Sequence, residues 1–226
     1  MREEVIGDAT LYLGDCLEAM REIPDNAFDL AIVDPPYGDD KGDWVKNPMG
    51  RFQGTRFKKY KTGWDFFPGP EYFAELFRVS RHQIIWGGNY FSLPPSRNFI
   101  IWRKLTISES FSMAMAEYAW TNMPGNAKVF ECVPQDSARF HPTQKPVALY
   151  RWILSLYAKP GDKILDTHMG SGSLEVACAE LGYGVTGVEI DEDYYPLACR
   201  RIADAYKQPR LFEDEKPKYK QETLGY

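Results

Sequence analysis

The chain has 226 residues, with 27 Lys+Arg against 32 Asp+Glu and a formal net charge of -5. An acidic total argues against a polyanionic partner, which usually leaves a basic footprint, although a total averages over a surface that binds with one face. Length at about 150 residues per domain gives one domain with room for an insertion, and 44% hydrophobic with 26% charged residues excludes a disordered chain. No apolar run approaches the roughly 20 residues of a membrane span, the longest, residues 146–158, being broken by Arg151. The first residues lack the apolar core of a leader peptide. The four cysteines form no C-x-x-C pair and have no metal-ligand spacing with His82, His141 or His168. A reduced, cytoplasmic protein without a metal or a membrane partner is expected.

In chain order, residues 10–13 read as a short strand and 16–22 as a short helix. Residues 28–33, F-D-L-A-I-V, form an apolar strand that stops at Asp34-Pro35-Pro36 because proline ends regular pairing. Residues 39–69 lack periodicity and read as a long loop, of the kind that is usually functional. Residues 71–80 have helical spacing. Strands follow at 83–86, 99–102 and 116–120, then a helix at 147–157, a strand at 163–167, a helix at 172–181, a strand at 185–190 and a helix at 193–206. The polar residues 207–226 read as a flexible tail. Strands alternating with helices predict an α/β fold with a doubly wound, parallel sheet.

Residues 164–173, I-L-D-T-H-M-G-S-G-S, lie between a predicted strand and a predicted helix. Gly170 and Gly172 permit a tight turn and a close backbone approach to a ligand. The next strand ends at Glu189, at the sheet edge where open α/β folds bind ligands, and a carboxylate there suits the hydroxyls of a ribose. Position 175 is Glu rather than the third glycine of a dinucleotide fingerprint. The pattern therefore favours a nucleoside ligand without a pyrophosphate over an ordinary strand-to-helix turn.

Asp34-Pro35-Pro36-Tyr37 follows the apolar strand directly. The prolines fix the backbone, leaving the Pro35 carbonyl outside a sheet ladder. That carbonyl and the Asp34 carboxylate are two acceptors, and Tyr37 adds a stacking face. Two acceptors gripping the N–H bonds of a planar exocyclic amine would favour a pyramidal nitrogen with a free lone pair. Such a nitrogen could attack a methyl group in line, with catalysis by positioning and electrostatics.

These residues resemble the DNA amino-methyltransferases of the permuted β group. The resemblance rests on G-D-C-L-E-A-M at 14–20, D-P-P-Y at 34–37, H-P-T-Q-K-P-V at 141–147, D-T-H-M-G-S-G at 166–172 and V-E-I-D at 188–191, in that order. W-G-G-N-Y-F at 86–91 is similar to phage and prophage members. The resemblance implies a circularly permuted, Rossmann-like class I methyltransferase sheet, mostly parallel with an antiparallel strand and helices on both faces. It also implies S-adenosyl-L-methionine as cofactor. Asp34, Pro35, Pro36 and Tyr37 would hold the target base. Gly170, Ser171 and Gly172 would surround the methionine part of the cofactor and Glu189 its ribose. Asp15 would contact the adenine, with Cys16 nearby, and Thr143 and Lys145 would approach the carboxylate. His141, Asp166, Ser173 and Ile190 stand in the same motifs and go with the cofactor site, as does Asp34. His168 stands where the family usually has Phe, and a simple aromatic replacement is the favoured reading.

D-P-P-Y leans to adenine N6, with cytosine N4 as the alternative. A flipped base in double-stranded DNA is the implied substrate. The loop at 39–69 interleaves aromatics with Lys41, Lys46, Arg51, Arg56, Lys58, Lys59 and Lys61, a composition suited to nucleic acid. Residues 41–61 carry a net +6 against -11 for the rest, so the acidic total hides a basic segment next to D-P-P-Y. Residues 103–115 and 121–140 are further candidates for DNA recognition. An RNA or protein-amide methyltransferase and an inactive DNA- or cofactor-binding protein are the rival functions. A homodimer is compatible with the sequence. A recognition site and a partner restriction endonuclease are not specified by it.

Overall fold

The computed structural model describes residues 1–36, 68–110, 114–134, 139–141 and 143–208. The strands are β1 (Arg2–Ile6), β2 (Ala9–Leu13), β3 (Phe28–Val33), β4 (Ser80–Trp86), β5 (Phe99–Lys104), β6 (Ala116–Thr121), β7 (Lys128–Cys132), β8 (Lys163–Asp166) and β9 (Gly184–Glu189). The helices are α1 (Cys16–Arg21), α2 (Pro70–Val79), α3 (Val147–Tyr157), α4 (Ser173–Leu181) and α5 (Tyr195–Lys207), with a 3-10 turn at Gly88–Tyr90. The strands form one sheet in the order β1-β2-β9-β8-β3-β4-β6-β5-β7.

The central strand β3 is apolar on both faces because both faces are covered. Leu30 and Ile32 join a core with Ile84, Trp86, Ile100 and Trp102 under α3, α4 and α5. Ala31 and Val33 join a second core with Ile85, Leu165 and the inner residues of α1 and α2, including Met20, Tyr72 and Leu76. The result is three layers, helices over each face of the sheet.

The expectation of a mostly parallel sheet that includes an antiparallel strand, with helices on both faces, holds. Two strands run against the rest among the described residues: β1 against β2, and β6 against both β4 and β5. The pairings β2·β9, β9·β8, β8·β3, β3·β4 and β5·β7 are parallel. The sequence reading missed β1 and β7, both edge strands with largely exposed residues. An edge strand that buries little shows no apolar run to detect.

One direction reverses in the middle of the sheet. From β8 the chain crosses through α4 to β9 on one side, and from β3 it crosses through α2 to β4 on the other. β8 and β3 are neighbours, with Leu30 opposite Ile164 and Ala31 opposite Leu165. The crevice at their carboxyl ends is therefore the topological switch point, where such sheets bind ligands.

Glu175 of α4 is fully buried, and neither carboxylate oxygen has a hydrogen-bond partner among the described residues. Burial, and next the Asp166 charge, push its carboxyl well above the ordinary carboxylate range. A group protonated when folded but ionised when unfolded contributes stability below its unfolded pKa and loses it as pH rises toward the folded value. Glu175→Met is therefore predicted to raise the thermal midpoint. The margin should widen between about pH 5 and pH 8, by up to about 1.4 kcal/mol per pH unit. A margin independent of pH in parallel melting curves would contradict this.

Candidate active site

Asp34 leaves the end of β3 and meets a cation from a distant part of the chain. Its Oδ2 accepts from the Nζ of Lys145, in the segment before α3. Lys145 Nζ also lies 3.2 Å from Glu117 Oε2 of β6 and 5.1 Å from the centre of the Trp86 ring. The other oxygen of Glu117 is 2.6 Å from Lys104 Nζ of β5. Lys145 and Lys104 are both buried, so these ammonium groups have exchanged water for carboxylates. Asp34 Oδ1 is buried and has no hydrogen-bond partner among the described residues. Burial pushes the Asp34 carboxyl up, against the opposing pull of the Lys145 charge. Glu117, with a lysine on each oxygen, is held below the usual carboxylate range. Pro35 is buried and Pro36 half-buried. Tyr37 lies outside the described residues, as do Lys41, Lys46, Arg51, Arg56, Lys58, Lys59 and Lys61.

At the neighbouring strand end, Asp166 Oδ1 accepts from the backbone N–H of His168 at 3.0 Å. Burial pushes the Asp166 carboxyl up to about 7, the His168 N–H partly offsets this, and the Asp34 charge adds to it. His168 sits in a small cluster. Its Nδ1 is 2.9 Å from Thr167 Oγ1, which is 2.6 Å from Tyr72 Oη. Its Nε2 is 3.8 Å from Cys16 Sγ. Burial lowers the imidazole to about 4 and raises the Cys16 thiol to about 12. At neutral pH both are uncharged, and His168 packs edge-on against the Tyr72 ring at 5.4 Å as a neutral aromatic.

The glycine turn follows. Gly170 and Gly172 have φ of 53° and 72°, a left-handed conformation costly for residues with a Cβ. Gly170 N–H donates to Glu189 Oε2 at 2.7 Å, and Asp191 N–H donates to Glu189 Oε1 at 2.8 Å. The Glu189 carboxylate is thus fixed at the carboxyl end of β9 by two backbone donors, while burial raises its pKa. A Cβ at Gly170 would stand 3.3 Å from His141 Cε1. His141 is buried, its ring 4.4 Å from that of Tyr194 and its Nδ1 3.2 Å from the Thr143 hydroxyl. Burial, then Arg139, lowers this imidazole to about 4.

Several expected ligands have other employment. The Asp15 carboxylate caps α1, accepting from Leu17 N–H at 2.8 Å and Glu18 N–H at 3.0 Å through Oδ1. Ser171 and Ser173 face α5, where Arg201 donates to Ser171 O and to both hydroxyls at 2.9–3.2 Å. Lys145 is held by two carboxylates within the protein. Thr143 is exposed, and so is Ile190. Glu117 and Lys104 were not anticipated. Their strands had been read for apolar content, and only strand pairing reveals that Lys104, two residues beyond Trp102, shares a face with Glu117, the register partner of Trp102.

Residues 102–200 match the DNA methylase family model N6_N4_Mtase. Over these residues, somewhat less than half of its length, the chain is similar to that family. Type II methyltransferase M.HpaI of Haemophilus parainfluenzae is 22% identical over 241 residues, spanning 86% of this chain and 74% of that protein. Among solved structures, the M1.HpyAVI–SAM complex is 23% identical with a TM-score of 0.56, over 85% of this chain and 99% of its own. PvuII DNA methyltransferase (cytosine-N4-specific) is 12% identical with a TM-score of 0.58, over 90% and 93% of the two chains. These structural likenesses identify the mixed α/β methyltransferase fold.

Gly172 caps α4 in the left-handed region, and a Cβ there would stand 3.0 Å from Ile202 Cδ1 of α5. Gly172→Ala is predicted to cost about 1–2 kcal/mol of stability from backbone strain. Chemical denaturation checks this, and an unchanged midpoint would contradict the strained turn.

Proposed function

We propose that the protein is an S-adenosyl-L-methionine-dependent DNA methyltransferase that methylates the exocyclic amine of a flipped base, adenine N6. The observation that carries this reading is Asp34. One oxygen is occupied by a buried lysine, and the other is desolvated and without a hydrogen-bond partner among the described residues, at the switch point of the sheet. A buried acceptor without a partner costs free energy that a ligand's N–H would recover.

The residues present fit the cofactor. The cradle under His141 would be filled by a Cβ at position 170, so glycine lets a ligand reach the backbone there. Glu189 is a fixed carboxylate suited to two ribose hydroxyls. His168, Tyr72 and Cys16 offer an uncharged wall for a purine. The cofactor supplies an electrophilic methyl on a sulfonium. Asp34 and the Pro35 carbonyl accept from the two N–H bonds of the target amine and direct its lone pair at that methyl. The nitrogen would take the methyl as its bond to the sulfonium breaks, leaving a neutral thioether, and the proton that the nitrogen then sheds would pass to solvent. Asp34 must be ionised to accept, and its contact with Lys145 favours that state.

D-P-P-Y favours adenine. The likeness to the cytosine-N4-specific PvuII enzyme keeps cytosine N4 as the second reading. The basic, aromatic segment at 41–61 supports duplex DNA as substrate, with the base extruded because its amine is otherwise buried in the stack.

Asp34→Asn keeps the shape and loses the charge. It is predicted to lower single-turnover methylation by at least about 10³-fold, the scale of removing a key electrostatic group, while cofactor affinity by calorimetry stays within a few-fold. Undiminished turnover would refute the assigned chemistry. Charge reversal at Lys58 and Lys59 is predicted to weaken DNA binding and reduce the slope of log affinity against log salt. An unchanged slope in fluorescence titrations would remove that segment from the interface.

A further inference from the structure

Four charged side chains from separate parts of the chain form an alternating row: Lys104, Glu117, Lys145 and Asp34. Lys104 meets Glu117 at 2.6 Å, Glu117 meets Lys145 at 3.2 Å, and Lys145 donates to Asp34 Oδ2. Trp86, Glu117, Trp102 and Lys104 share one face of the sheet. Trp86 is opposite Ala119, two residues from Glu117, and Trp102 is opposite Glu117. Each ammonium stands over an indole, Lys145 over Trp86 and Lys104 over Trp102, both at 5.1 Å. The row holds two positive and two negative charges, so it is neutral as a whole. That balance offsets the desolvation of two buried lysines beside the half-buried Asp34 and Glu117.

The row has a directional consequence at its end. A lysine stem is flexible, and an ammonium with three donors could engage both oxygens of Asp34. Here Glu117 attracts Lys145 from the β6 side, and Lys104 fixes Glu117. We propose that Glu117 and Lys104 are positioning residues that hold the Lys145 ammonium on Oδ2 of Asp34, leaving Oδ1 to accept from the target amine. The inference rests on the reading of Asp34 as the amine acceptor.

The row also sets the charge that Asp34 feels. The Lys145 and Lys104 charges lower its pKa, and the Glu117 charge raises it. The other titratable groups that bear on Asp34 are Asp166 from β8, Tyr72 from α2 and Tyr150 from α3. None of these is altered by substitutions in β5 or β6.

The test uses the full chain, labelled S-adenosyl-L-methionine and unmethylated duplex DNA, with Lys104→Met, Lys104→Arg and Glu117→Gln. Removing the Lys104 charge should move the acid limb of the single-turnover pH profile upward. Removing the Glu117 charge should move it downward. Each shift is expected to be about half to one pH unit. Both neutralised variants should methylate about tenfold or more slowly near neutral pH, with cofactor dissociation constants within about twofold of the parent. Lys104→Arg should restore the parent profile. Carboxyl carbon NMR of the cofactor-free protein, with Asp34 assigned by its loss in Asp34→Asn, should show the same opposite displacements of the Asp34 titration.

A merely structural role predicts limbs that stay in place, or move together, with losses that track the melting temperature, and either result overturns the proposal. If Lys104→Met does not fold, Glu117→Gln and the NMR titration decide alone. A parent protein that transfers no methyl to any DNA overturns the reading of the site and this inference with it. Active parent enzyme with unmoved limbs overturns only the positioning role.

Discussion

β3 and β8 lie side by side and parallel, Leu30 against Ile164 and Ala31 against Leu165. Because the chain departs from them in opposite directions, their carboxyl ends flank a crevice at the switch point. Asp34 stands at one end and Asp166 at the other, joined by sequences unsuited to further pairing: two prolines after Asp34, and a glycine turn after Asp166. Everything assigned to chemistry hangs from this pairing. The acceptor proposed for the amine comes from β3, the proposed cofactor cradle from β8 and its turn, and the carboxylate proposed for the ribose from β9 alongside.

The electrostatics of the crevice follow from burial. Asp34, Glu117, Asp166, Glu175 and Glu189 are carboxyl groups largely withdrawn from water, and each answers to a different neighbour. Asp34 and Glu117 share Lys145, whose charge opposes the effect of burial at Asp34 and helps hold Glu117 below the usual range. Glu189 is held by two backbone N–H groups. Asp166, with one backbone donor and the Asp34 charge nearby, is pushed to about 7, and Glu175, whose carboxylate oxygens have no hydrogen-bond partner among the described residues, is driven well above the usual range by burial. Burial thus suppresses charge beneath the turn, while Lys145 opposes that effect at Asp34. His168 obeys the same rule. Its imidazole is neutral near pH 7, which reconciles a histidine with a position suited to an uncharged aromatic ring.

The strands and helices of the interior were legible because their patterns are strong. F-D-L-A-I-V before D-P-P is a buried central strand, and the spacing of α3 and α5 is helical. The turn at Gly170 and Gly172 and the carboxylate at Glu189 were also legible, since both need particular residue types at an edge of regular structure. β1 and β7 were not, because edge strands with exposed side chains carry no apolar signature. The row of Lys104, Glu117, Lys145 and Asp34 was invisible for a different reason. Its members are up to 111 positions apart in the chain; the register of β5 and β6 puts Lys104 and Glu117 on one face, and only the fold brings Lys145 and Asp34 to them. Asp15, Ser171 and Ser173 show the converse. They sit in motifs that suggest a ligand, yet in the folded chain they cap a helix or bind Arg201, uses that sequence motifs do not separate from ligand binding.

The central claim is that Asp34, bound by Lys145 on one oxygen and without a hydrogen-bond partner among the described residues on the other, presents an exocyclic amine for methylation. The most direct measurement is nucleoside mass spectrometry of methylation-free duplex DNA after incubation with the purified protein and S-adenosyl-L-methionine bearing a deuterated methyl group. The account predicts the label in N6-methyladenine. Label in C5-methylcytosine, or none in any exocyclic amine, would contradict it.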